Sequence, residues 1–257
     1  MPLLVRAPGP PLSAFVSTLW LADHHVVGPH GIERILPTGN CSLIIDLASG
    51  GSLVSGPHSE SFLLTTVEQF WVAGVEFTPG GALPCFDVPI SELVNLHVPL
   101  DALCARLAAE LRERMLEAAT PEDKLTVLER MLTGRIVPGR ARNPAVAHAV
   151  GEFQRRPDVV RISDVVDRLG LSHRRFLEVF TTEVGLTPKL FCRIRRFQRV
   201  LQLVYGGRDV EWTDVALSCG YYDQAHFIKE FLAFSGVNPS TYRASAGPYP
   251  THVPVKA

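Results

Sequence analysis

An internal repeat constrains this chain more than any other feature of its sequence. Ile162-Ser163-Asp164-Val165-Val166 is followed by Leu169-Gly170, then by Phe176, Phe180, Gly185, Pro188 and Phe191. Trp212-Thr213-Asp214-Val215-Ala216 is followed by Cys219-Gly220, then by Phe227, Phe231, Gly236, Pro239 and Tyr242. The two series match at an offset of 50, which becomes 51 after one extra residue in the second turn. A repeat this short is one supersecondary unit used twice.

The unit has a physical reading. Ser163 or Thr213 is placed to cap a short helix, and Gly170 or Gly220 to end it, because glycine enters the left-handed conformation cheaply. Ser172 or Asp223 then caps a second helix, which buries Phe176, Val179 and Phe180 in one copy and Phe227, Phe231 and Phe234 in the other. Short helix, glycine turn and longer helix make a helix-turn-helix, whose second helix faces the DNA major groove at its N-terminal end. That face carries His173, Arg174, Arg175 and Glu178 in the first copy, with Gln224, His226 and Lys229 in the second. Between the copies, residues 188–207 predict a helix of about 18 residues, roughly 27 Å long. It is long enough to hold two recognition helices about one DNA turn apart, roughly 34 Å. Its arginines, Arg193, Arg195, Arg196 and Arg199, are expected to contact phosphates.

The first hundred residues read differently. CSLIIDL (41–47) and FWVAGVEF (70–77) are apolar runs of strand length between turn signals, with SLVSG and SFLLTTV between them, which predicts a small sandwich or barrel. Residues 101–117 put Leu103, Leu107, Leu111 and Met115 on one helical stripe. Thr120 and Pro121 start the next helix. Residues 134–143 hold little to bury and read as a linker. The expected division is thus 1–133, a linker at 134–143, 144–245, and a flexible tail at 246–257. The fold class is α+β, with a β-rich N-terminal domain ending in a helical tail and an all-α C-terminal domain.

Charge follows the same division. Residues 1–140 carry 9 Lys+Arg against 15 Asp+Glu, a balance of −6, and residues 141–245 carry 15 against 11, a balance of +4. A basic module is joined to an acidic one. No run of about 18 apolar residues exists, so neither a membrane span nor a membrane partner is expected. The first residues show no secretory pattern. Five separated cysteines without a C-x-x-C pair predict no disulfide framework and a cytoplasmic setting. His24, His25, His30, His58 and Cys41 have no metal-ligand spacing, so no metal or other cofactor is expected. Trp20, Phe70, Trp71, Phe77 and Phe86 read as core rather than as a ligand pocket. Scattered carboxylates, and the absence of nucleophile-elbow and phosphate-loop motifs, point away from an enzyme.

LGLSHRRFLEVFTTEVGLTPKLF (169–191), IRRFQRVLQLV (194–204) and DVALSCGYYDQAHFIKEFLAFSGVNPSTYR (214–243) together resemble the DNA-binding domain of AraC/XylS-type transcriptional regulators. The resemblance covers residues 144–244. It implies two helix-turn-helix units on a linker helix, double-stranded DNA as partner, and RNA polymerase as a second partner in activators. It also implies an N-terminal domain, often a cupin-like barrel, that binds a small-molecule effector or forms a homodimer. Residues Ser172, His173, Arg174, Arg175, Glu178, Arg193, Arg195, Arg196, Asp223, Gln224, His226 and Lys229 are the expected DNA-binding set. Leu177, Glu178 and Leu232 depart from the family's more polar or basic pattern, which leaves open a ligand-binding module with weakened DNA binding. A DNA-repair-linked methyl-acceptor protein is the other alternative, and it would require clustered cysteines.

Overall fold

The computed structural model describes residues 4–23, 31–66, 71–136, 142–158, 160–205, 210–245 and 249–255. Among the described residues, eight strands come from the first hundred positions: β1 (Leu4–Arg6), β2 (Val16–Asp23), β3 (Gly31–Ile35), β4 (Ser42–Asp46), β5 (Ser52–Ser55), β6 (Phe62–Thr66), β7 (Trp71–Phe77) and β8 (His97–Pro99). Six of them form one antiparallel sheet in the order β1-β2-β7-β4-β5-β8. Alternation decides its inner face: Leu19, Leu21, Leu43, Ile45, Ala73, Val75 and Phe77 are buried. A single-turn helix, α1 (Leu83–Phe86), follows β7, and the longer helices α2 (Leu100–Glu117) and α3 (Pro121–Thr133) cover the sheet. Leu107, Leu111 and Met115 of α2 and Leu125, Leu128 and Leu132 of α3 complete this core.

The caps explain the boundaries. Thr120 Oγ1 accepts from the Asp123 amide at 3.1 Å, and Pro121 occupies the first turn of α3. The α2 stripe is interrupted at Cys104, whose φ of −155° and ψ of 82° kink the helix. Phe77 and Phe86 meet edge to face at 5.4 Å inside the core. Trp20 and Trp71 are only half-buried, with Lys124 Nζ 5.4 Å from the Trp71 ring centre. Phe70, His24, His25 and His30 lie outside the described residues, as do 137–141 of the linker.

The second half is helical: α4 (Pro144–Arg155), α5 (Ile162–Arg168), α6 (His173–Val184), α7 (Pro188–Val204), α8 (Trp212–Ser218), α9 (Gln224–Ser235) and α10 (Pro239–Ser245). Its core is aromatic. Phe180 contacts Phe153, Phe176 and Phe191, while Phe231 contacts Phe197, Phe227 and Tyr242, all at ring distances of 5.2–5.8 Å. Ser163 and Thr213 do not cap as expected: α5 follows Arg161 and α8 follows Glu211, neither with a side-chain cap. The helices start two residues earlier than caps at Ser163 and Thr213 require, so both hydroxyls sit inside the first turn. Ser163 Oγ donates to Asp164 Oδ1 at 3.2 Å, and Thr213 Oγ1 donates to Gln224 Oε1 at 3.1 Å.

The tail departs most from expectation. His252–Val255 forms β9, which pairs antiparallel with β3 in a second sheet ordered β6-β3-β9. Residues 252–255 are therefore a paired strand, not a flexible segment. Pro254 is tolerated because β9 is an edge strand. Tyr242 Oη donates to Pro250 O at 2.6 Å, and His252 Nδ1 lies 2.9 Å from Glu33 Oε2. The first contact ties this segment to α10, and the second, with the pairing to β3, pins it to the N-terminal half.

The two halves interlock elsewhere too. Leu36 is buried in the C-terminal core, and Gln198 Nε2 donates to Pro37 O at 2.6 Å. The β5–β6 loop touches the ends of both α6 and α9. A Cβ at Gly185 (φ 85°) would lie 2.6 Å from Pro57 Cγ, and one at Gly236 (φ 69°) would lie 3.5 Å from Ser61 Oγ and 2.2 Å from Arg34 Nη1. The Ser61 amide also donates to Phe234 O at 3.1 Å. The boundary drawn at 133–144 in sequence is thus crossed three-dimensionally by β9, Leu36 and this loop.

Candidate nucleic-acid interface

Each unit is built the same way. Between α5 and α6 the chain turns through Gly170 (φ 66°), and Ser172 Oγ accepts from the Arg175 amide at 3.3 Å. Between α8 and α9 it turns through Gly220 (φ 74°), and Asp223 Oδ1 accepts from the His226 amide at 2.7 Å. Phe176, Phe180, Phe227 and Phe231 fix the inner faces, which leaves the opposite face of each second helix in solvent. His173, Arg174, Arg175, Leu177 and Glu178 are exposed on α6, and Gln224, Ala225, His226, Ile228 and Lys229 on α9.

The exposed faces are not equally free. Arg175 Nη1 and Glu178 Oε2 form an ion pair at 3.0 Å, with both side chains more than half exposed. Such a pair contributes little to stability in solvent, so it is easily exchanged for another partner. Gln224 is steered by Thr213, which ties the first helix of unit two to its recognition helix. Sequence reading missed Tyr222, which is 88% exposed. It is the one extra residue in the second turn, and the offset change from 50 to 51 was the available signal.

The linker helix departs from its expected role. α7 spans 17 residues, about 25 Å at 1.5 Å per residue. Its arginines do not form an open row. Arg193 Nε lies 2.6 Å from Glu230 Oε1, and Arg196 Nη2 lies 3.3 Å from Glu230 Oε2. Glu230 is 8% exposed at its side chain and Arg196 16%, so this is a largely desolvated cluster. Arg196 also donates through Nη1 to Gly220 O at 3.2 Å and covers the Tyr221 ring at 4.7 Å. Burial pushes the Tyr221 hydroxyl above its ordinary range, so it stays a neutral phenol. Arg195 is half-buried, and desolvation holds its guanidinium below the usual arginine range. Arg199 Nη1 lies 3.6 Å from Asp158 Oδ1. The physical reason is Glu230: a buried carboxylate on α9 needs partners, and α7 is the helix packed against it. His226 Nε2, 3.9 Å from Glu230 Oε1, joins the edge of the cluster.

A matching anchor holds unit one. Glu183, on the last turn of α6, accepts from the Asn143 amide at 3.1 Å, and burial raises its pKa. Arg142 lies beside it and donates to Pro79 O of the N-terminal half. Among the described residues, no three His, Cys, Asp or Glu side chains gather as a metal site would require. Nor is any described helix long and apolar enough to cross a membrane.

The sequence of residues 165–245 has its counterpart among known domains. A family model described as "Helix-turn-helix domain" matches residues 165–245. Residues 165–245 are a helix-turn-helix domain of AraC type. The AraC-type domain is preceded by a match over residues 5–99 to a family described as "Domain of unknown function (DUF6597)". The HTH-type transcriptional regulator MtrA of Neisseria gonorrhoeae is 28% identical over 134 residues, which are 52% of this chain and 42% of that protein. The chain thus spans under half the length of that relative. Among solved structures, an apo ToxT variant from Vibrio cholerae is similar at a TM-score of 0.42 and 12% identity, over 95% of this chain and 97% of that one. Wild-type Vibrio cholerae ToxT with bound unsaturated fatty acid is similar at 0.43 and 12%, over 94% of each.

Proposed function

We propose that this chain is a sequence-specific, double-stranded-DNA-binding transcription regulator whose AraC-type domain reads two successive major grooves. The observation that carries this reading is the doubled surface. Two equivalent helices, each capped and each backed by phenylalanines, present an exposed polar N-terminal face. In this reading Ser172, His173, Arg174, Arg175 and Glu178 face one half-site, and Asp223, Gln224, His226 and Lys229 face the other. Arg193 and Arg196 brace α7 against α9 and shape the second unit, Arg195 lies half-buried on the same helix, and Arg199 is its more exposed arginine. The other partners are a small-molecule effector or a second copy of the chain at the N-terminal half, and RNA polymerase at activated promoters. The contacts of Pro57, Ser61 and Arg34 with the ends of both recognition helices support control from the N-terminal half.

The test is enrichment of a random duplex library on the full chain, followed by salt titrations on the enriched and scrambled duplexes. Affinity should fall steeply with salt on both. Arg174→Ala should weaken the enriched duplex by about 1–3 kcal/mol and the scrambled one much less. Equal weakening of both would make Arg174 a phosphate contact. The Arg175–Glu178 pair favours a second reading, a ligand-binding module with weakened DNA binding, and failure to enrich any duplex would select it.

A further inference from the structure

The repeat exposes one feature that no charge argument accounts for. Leu177 and Ile228 occupy equivalent positions, 51 residues apart, at the fifth residue of α6 and of α9. They are 41% and 38% exposed. Leu177 lies one turn after His173 and Arg174, and Ile228 one turn after Gln224 and Ala225, so each aliphatic shares a face with the first residues of its helix. The flanking charges differ: Glu178 follows Leu177 and Lys229 follows Ile228. The other exposed aliphatics of unit two are not duplicated, since Leu232 corresponds to Thr181. A feature kept in both units serves what both units do, whereas a protein partner would need it only once.

We propose that Leu177 and Ile228 are specificity-determining residues that each contact the C5-methyl group of a thymine in the major groove. This inference rests on the reading of the chain as a DNA-binding regulator. An aliphatic side chain can neither donate to nor accept from a base edge, and the thymine methyl is the apolar group that a standard base presents in that groove. The surroundings fit nucleic acid: His173, Arg174 and Arg175 flank Leu177, and Gln224, His226 and Lys229 flank Ile228. With the two helices in successive grooves, the preferred site carries two T·A pairs about 10 bp apart.

The experiment uses the full chain and a duplex enriched from a random library. Deoxyuridine then replaces thymine one position at a time, which deletes only the methyl group. Two positions, about 10 bp apart, should each lose about fourfold in affinity, the factor to which ~0.8 kcal/mol per buried methyl converts. Both replacements together should lose about 15-fold. Leu177→Ala should abolish discrimination at one position and Ile228→Ala at the other. Both residues are exposed, so neither change threatens the fold. Equal affinity for thymine and deoxyuridine at every position overturns the methyl contacts while leaving the regulator reading intact. So does a Leu177→Ala protein that still discriminates at both positions, which would point to a protein partner for the aliphatic face. Failure to enrich any duplex overturns the regulator reading itself, and this proposal with it.

Discussion

The two helix-turn-helix units share a topology and an aromatic core, yet they are stabilised by different chemistry at one corresponding position. Unit one has the half-buried Val179 where unit two has the buried Glu230. In unit one, apolar contact suffices, and the nearest acid on the exposed face, Glu178, pairs with Arg175 one turn away. In unit two, a single carboxylate gathers Arg193 and Arg196 and, through Arg196, holds the carbonyl of the Gly220 turn. Identical secondary structure therefore leaves two distinct surfaces: a salt-exchangeable pair on α6, and on α9 a recognition helix fixed from behind. Basic residues close in sequence need not make a basic surface, because one buried acid can redirect them.

Three expected outcomes test this contrast between the units. The largest concerns what the units share. Phe180 and Phe231 are both fully buried, so Phe180→Ala and Phe231→Ala should each cost about 3–5 kcal/mol. In a domain of ordinary stability either change approaches complete unfolding. Thermal or urea melts that moved for only one of them would deny the equivalence of the units.

The next outcome concerns what they do not share. Glu230→Ala leaves Arg196 nearly buried without its carboxylate and should cost about 2–4 kcal/mol, whereas Val179→Ala should cost about 1 kcal/mol. Denaturant midpoints of the two variants would check this. Equal losses would mean that the arginines gain nothing from Glu230 beyond packing.

The smallest effect tests the loop that touches both units. His58 in that loop is buried beside Phe62 and His97, and burial first, then the neighbouring His97, lowers its pKa to about 4. The unfolded chain protonates this imidazole near its ordinary value of about 6.5, before the folded chain does. Its contribution is therefore fully present above about pH 6.5 and is lost as pH falls toward 4. Between pH 7 and pH 5 the wild type should lose about 1–2 kcal/mol relative to His58→Gln. Parallel pH profiles for the two proteins would place His58 in solvent contact.

Much of this was readable along the chain. Strands β4 and β7, the Thr120 cap, helix α7 from Pro188 to Val204 and the caps Ser172 and Asp223 all rest on local spacing. A side chain three residues from an amide, or an apolar stripe at three and four, is fixed by helix geometry before any packing occurs. The exposed set His173, Arg174, Arg175, Glu178, Gln224, His226 and Lys229 follows from the same rule, because burying Phe176, Phe180, Phe227 and Phe231 turns those positions outward. Ser163 and Thr213 misled because a hydroxyl in the first turn and one at the cap differ here by only two residues, and local spacing does not place helix starts that closely.

The doubled unit, its helices and the faces they bury are legible along the chain, since they depend on residues within a turn or two of one another. Where the α7 arginines point and how β9 pairs emerge only from long-range packing. Arg193 meets Glu230 across 37 positions, and His252 meets Glu33 across 219. No periodicity encodes such pairs. They form because burying a carboxylate without a cation is costly, and because the open edge of β3 leaves backbone groups for β9 to satisfy. Both conditions exist only once the chain has folded back on itself.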